Sequence, residues 1–243
     1  MWWNAKYPNV MHLPHSWQQL QNGSCYCNAL TDYFSAWYPK ILGHHVLKLG
    51  GLSAEIQSDC FLHHAILLAP HISPPLQSLG LQKNTSVIQA NLTELPFIEQ
   101  SIDACVLSNT LNFSQDPHQI LREVTRVLRE DGYLFLSLFN PFSPLLFKRH
   151  LHAVPHPPLP VRHYVPWRIL DWLALLNFDI LDQKRLVSWD KHRCFPHLIA
   201  IVARKRVYPL TLNPQKVHFK KHELLTPVSA FKTRLLRKWV QLT

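Results

Sequence analysis

Short apolar runs recur through the middle of the chain, separated by amphipathic or proline-bearing stretches. His45–Leu49 is β-like and stops at Gly50-Gly51. Further runs lie at residues 65–69, 86–89 (weaker), 102–107 and 133–139, with later strands expected near 178–187 and 197–203. Residues 116–128 place Ile120, Leu121, Val124, Val127 and Leu128 at helical spacing. Asp116 supplies an N-cap, Pro117 a first-turn proline and Gly132 a stop just beyond. A second helix is expected over 167–176 and a third over 28–37, stopped by Pro39. Uninterrupted apolar strands that alternate with amphipathic helices predict a mostly parallel sheet covered on both faces. The expected fold is thus α/β: a Rossmann-like, doubly wound sheet of about seven strands.

The early crossovers are thin. About fifteen residues separate Gly50 from the second strand, which leaves room for a short helix only. Pro70, Pro74, Pro75 and Gly80 hold the next helix to a turn or two. The first 40 residues carry Trp2, Trp3, Trp17 and Trp37, half of the tryptophans, with Tyr26, Tyr33, Phe34 and Tyr38. They read as an aromatic helical cap, packed on an edge of the sheet. A domain over 41–206 follows, with a Pro- and His-rich insertion at 141–168. A loop after the fifth strand lies over the C-terminal edge of a doubly wound sheet, where ligands bind.

Charge changes the picture at one end only. The net charge is +10, yet the residues after Ala203 hold ten Lys or Arg against the single acid Glu223. The preceding part is near neutral, so the basic character belongs to a C-terminal extension, 207–243. Within it, Phe231, Leu235, Leu236, Trp239 and Val240 share one helical face, with Lys232, Arg234, Arg237 and Lys238 mainly on the other. A docked helix with a solvated basic face, a nucleic-acid contact and an anionic membrane surface all suit that pattern. The five scattered cysteines read as reduced thiols. With no secretory signal and no apolar stretch long enough to span a bilayer, the expectation is a cytoplasmic monomer.

The segment Val46-Leu47-Lys48-Leu49-Gly50-Gly51-Leu52-Ser53-Ala54 resembles the first motif of the class I S-adenosylmethionine (SAM) methyltransferases: an apolar pair, an acid, then G-x-G-x-G. Residues 90–97 and 101–106 resemble the family's passage from its third strand into its fourth. Arg122-Glu123-Val124, Arg126-Val127-Leu128 and Asp131-Gly132-Tyr133-Leu134 resemble its approach to the fifth. Leu95-Pro96-Phe97 and residues 126–132 are the more specific parts. The likeness extends over about 28–215 and is closer to methyltransferase-like proteins of proteobacteria.

The resemblance implies SAM as cofactor and a small-molecule substrate. The implied cofactor contacts are Gly50, Gly51 and Ser53 at the first turn, Asn91 and Leu92 after the third strand, and Ser108 and Asn109 after the fourth. No catalytic residue is implied, and no metal; His152, His156, His163 and Tyr164 are candidate bases by position alone. Several motif positions depart from the family. Lys48 replaces the acid, Leu52 and Ala54 replace glycines and stand ready to intrude on the cofactor. The second strand ends Ala69-Pro70-His71, without the carboxylate that accepts from the ribose hydroxyls. Losing that contact costs about one to two decades of affinity. Two readings follow: a methyltransferase with unusual cofactor contacts, and an inactive methyltransferase-fold scaffold whose basic tail meets nucleic acid, an acidic protein or an anionic surface.

Overall fold

The computed structural model describes residues 11–20, 22–57, 64–141, 161–186 and 198–206. Its strands are β1 His45–Leu49, β2 His64–Ala69, β3 Thr85–Gln89, β4 Ile102–Ser108, β5 Leu128–Phe139, β6 Phe178–Leu186 and β7 Leu198–Lys205. They form one sheet in the order β3-β2-β1-β4-β5-β7-β6. Neighbours from β3 through β5 pair in parallel, while β7 runs antiparallel to both β5 and β6. This is the doubly wound sheet that the apolar runs predict. Its strand order reverses between β1 and β4.

The helices are α1 Gly23–Ser35, α2 Gly51–Ala54, α3 Pro74–Gly80, α4 Pro117–Val127 and α5 Pro166–Leu175. The Asp116 carboxylate accepts from the Gln119 N–H at 3.0 Å, the expected N-cap of α4. Gly132 does not stop that helix, because β5 begins at Leu128. The residues after it, with Asp131 at φ 60°, absorb a register shift against Ile102 and Ala104. The two early helices are short, as the prolines require: α2 has four residues and α3 seven.

Side chains of alternate parity cover both faces. Leu47, Leu49, Leu107 and Leu136 pack with Ile120, Leu121 and Val124 of α4 and Trp172 and Leu173 of α5. Val46, Val106, Phe135 and Val202 pack under Leu30 and Phe34 of α1 and under Tyr38. The aromatic N-terminal helix therefore lies on a face of the sheet, not on its edge. Phe34 and Tyr38 each stand 5.2 Å from the Phe135 ring, covering β5 and β7, which α2 is too short to reach.

The most family-like stretches are a mechanical clasp. Arg126 donates to the carbonyls of Phe97 (2.9 Å) and Leu95 (3.0 Å) and pairs with Glu123 at 2.8 Å. Glu123 in turn accepts from the Leu95 N–H at 3.0 Å. The pair fixes the β3–β4 loop to α4. Hydrogen bonding from Arg126 holds the Glu123 carboxyl below its ordinary range, against partial burial and with help from the Leu95 N–H.

Candidate cofactor site

A doubly wound sheet forms its ligand crevice beyond the carboxyl ends of the strands, where the strand order reverses. Here that point lies between Gly50, after β1, and Thr110, after β4. Gly50 has φ +87°, a conformation that needs no Cβ, and its N–H donates to Leu68 of β2 at 2.8 Å. Thr110 donates from Oγ1 to the Leu49 carbonyl at 2.8 Å, closing the crevice floor from the other side.

Ser53, Ser108 and Asn109, three of the other implied contacts, are spent on that floor. Ser53 is fully buried, and its Oγ accepts from the Ser108 N–H at 2.8 Å, which ties α2 to the end of β4. Asn109 is fully buried at φ 55°; its Oδ1 accepts from Ser137 Oγ at 2.6 Å and its N–H reaches the same hydroxyl at 3.1 Å. The Ser108 hydroxyl is buried without a hydrogen-bond partner. Leu92 is a core residue beside Leu95. Asn91 alone is exposed, its Oδ1 accepting from the Thr93 N–H at 3.2 Å.

The departures from the motif behave differently from expectation. Lys48 does not face the crevice: its Nζ donates to the Ile56 carbonyl at 2.7 Å, in a setting so buried that its amine is pushed down to about 8, against a smaller opposing effect from Cys27. The Leu52 side chain enters the core beneath α1, and Ala54 packs with Leu67, Ala69 and Leu76. Neither intrudes on the crevice, because the α2 turn rotates both side chains toward the sheet.

A methyltransferase domain profile matches residues 47–136, from β1 into β5. Over 247 aligned residues the chain is 37% identical to the uncharacterised protein YafS of Escherichia coli K12, spanning 96% of this chain and 98% of that one. The chain belongs to the class I SAM-dependent methyltransferase family. Two solved structures share the fold. The YcgJ protein of Bacillus subtilis superposes with TM-score 0.55 at 18% identity, covering 74% of this methyltransferase and 99% of its own chain. The 1,6-didemethyltoxoflavin-N1-methyltransferase of Burkholderia thailandensis, solved with bound 1,6-didemethyltoxoflavin and S-adenosylhomocysteine, gives 0.54 at 17%, covering 74% and 79%.

What fills the crevice of this methyltransferase is its own N-terminal segment. Leu13 Cδ2 stands 3.0 Å from where a Cβ on Gly50 would be, and the His15 carbonyl oxygen 2.4 Å from where one on Gly51 would be. Between residues 11–15, Gly51, Ala69, Pro70, His71, Ser73 and Leu76 remains a cavity of about 160 Å³. Sites for small molecules hold roughly 300–1,000 Å³. With residues 11–15 in this position, the first turn is in contact with protein and the space left beside it is smaller than such sites. The motif gave no sign of this, since the intruding residues lie more than thirty positions upstream and carry no periodic signal.

Among the described residues no group of three metal-ligating side chains converges. His150, His152 and His156 lie outside the described residues. His163 is exposed, and Tyr164 is buried against Trp172 at 5.5 Å with its hydroxyl unpartnered. Among the described residues no helix is long and apolar enough to cross a membrane. The basic extension falls outside them.

Proposed function

We propose that this chain transfers methyl groups from SAM to a small molecule. The observation that carries the reading is the turn after β1. At the sheet's switch point it retains a left-handed Gly50 followed by Gly51, the backbone geometry that lets a ligand approach the chain closely. Gly50 and Gly51 then provide the backbone contact and Asn91 the exposed polar side chain. Ser53, Leu92, Ser108 and Asn109 shape the floor beneath. In this reading residues 41–206 form the methyltransferase domain, 1–40 a cap, 141–168 an insertion over the substrate side and 207–243 a basic extension.

A second reading is favoured by the filled crevice and by the β2 end, Ala69-Pro70-His71, which offers no carboxylate to a ribose. The chain is then a scaffold that has kept the fold and lost the cofactor.

Calorimetric titration with SAM and S-adenosylhomocysteine separates the two. A saturable heat and a raised thermal midpoint are expected, since a ligand at 100 times its Kd adds about 2.7 kcal/mol to stability. No heat and no shift at millimolar ligand, in both the native chain and the loosened variant described below, leaves only the scaffold.

A further inference from the structure

We infer that residues 11–15 are an autoinhibitory strap, seated where the cofactor belongs, that must leave before a nucleoside ligand enters. The inference rests on the SAM reading above. It begins with the way the segment is held. Immediately after it, Trp17 is almost fully buried. The Trp17 indole N–H donates to the Leu52 carbonyl at 2.9 Å, and its backbone N–H to a Glu55 carboxylate oxygen at 3.2 Å. Ser16 caps the short turn Trp17–Gln19 by accepting from the Gln18 N–H at 3.1 Å. Gly23 of α1 lies so close under Trp17 that a Cβ there would overlap the Trp17 carbonyl. The anchor is therefore held from both sides.

Residues 11–15 are held by packing: Met11 and Pro14 are buried, Leu13 is half-buried, and His12 and His15 are exposed. Among the described residues, the one side-chain hydrogen bond that reaches a backbone group of this stretch is internal to the N-terminal region: His15 N–H to Gln19 Oε1 at 2.9 Å. The strap thus lies against Gly50 and Gly51 by packing, and it pivots at Ser16, next to a fixed tryptophan. The anchor uses the same short helix that departs from the family pattern: Leu52, at a lost glycine, and Glu55, just beyond Ala54, both hold Trp17. The eroded motif and the strap are one arrangement, in which α2 serves as a mount for the N-terminus.

A ligand that binds only the open form has its apparent affinity reduced by the fraction of chains that are open. Weakening the closed contact must therefore tighten the ligand. Leu13→Gly removes the side chain lodged on Gly50 and leaves Trp17, Leu52 and Glu55 untouched. It is expected to tighten S-adenosylhomocysteine by about tenfold or more in calorimetry, which corresponds to 1.4 kcal/mol. A second measurement needs no substitution. In the native chain, saturating S-adenosylhomocysteine is expected to raise backbone hydrogen exchange across residues 11–15 and lower it at residues 50–54. Equal affinities in the two chains overturn the strap while leaving the cofactor reading intact. So does slower exchange at 11–15 on binding, because the segment would then be closing over the ligand. Absence of binding in both chains overturns the cofactor reading itself, and the strap with it.

Discussion

Lys48 shows how one side chain can change meaning between sequence and structure. The family acid at this position is exchanged for a cation, which read from the motif alone sets a positive charge beside the cofactor. In the folded chain the amine turns away, and its hydrogen bond to Ile56 secures the end of α2. Burial pushes that amine down to about 8 from an ordinary 10.5. The sign of the linkage follows. Between pH 8 and 10.5 the unfolded chain binds the proton and the folded chain does not, so this group makes stability rise with pH through that window. A shift of this size corresponds to about 3 kcal/mol. Urea unfolding of the native chain and of Lys48→Met across pH 7.5–10.5 is expected to show the native chain gaining on the variant by about that amount. Parallel curves would mean that the amine is not desolvated.

Among elements, α4 and the β3–β4 loop are joined by the clasp. Arg126 supplies hydrogen bonds to two backbone carbonyls and to Glu123 from one guanidinium, a fork that neither Lys nor Met can imitate. Arg126→Met is expected to destabilise the chain by about 2 kcal/mol, read as a lowered urea midpoint. Double substitution with Glu123→Gln should cost less than the sum of the singles, because the two side chains act as a unit. Additive losses would show that the loop does not depend on the pair. The clasp joins two of the stretches that carry the family resemblance, Leu95-Pro96-Phe97 and the segment that begins at Arg126.

At the scale of the molecule, charge is divided unevenly between regions. The chain separates into a compact unit, Met1–Val207, and a second, Tyr208–Thr243. The latter contains seven Lys or Arg against Glu223. Retention on a heparin column is expected to drop sharply when residues 208–243 are removed, and in the full chain to weaken steeply with salt, as counterion release requires. A truncated chain that elutes with the full one would assign the polyanion contact to the methyltransferase unit.

The sequence by itself determined the doubly wound sheet, the α4 cap and the shortness of α2 and α3. These rest on apolar periodicity, on a side chain three residues from the N–H it caps, and on proline, all of which act over a few neighbouring residues. It also carried the family, through the clasp residues and the Gly50-Gly51 turn. Only the tertiary structure decided that α1 covers a face of the sheet, that Lys48, Leu52 and Ala54 turn inward, and that residues 11–15 lie in the crevice. Each of these depends on which distant surfaces meet, a matter of packing between segments that no local pattern encodes.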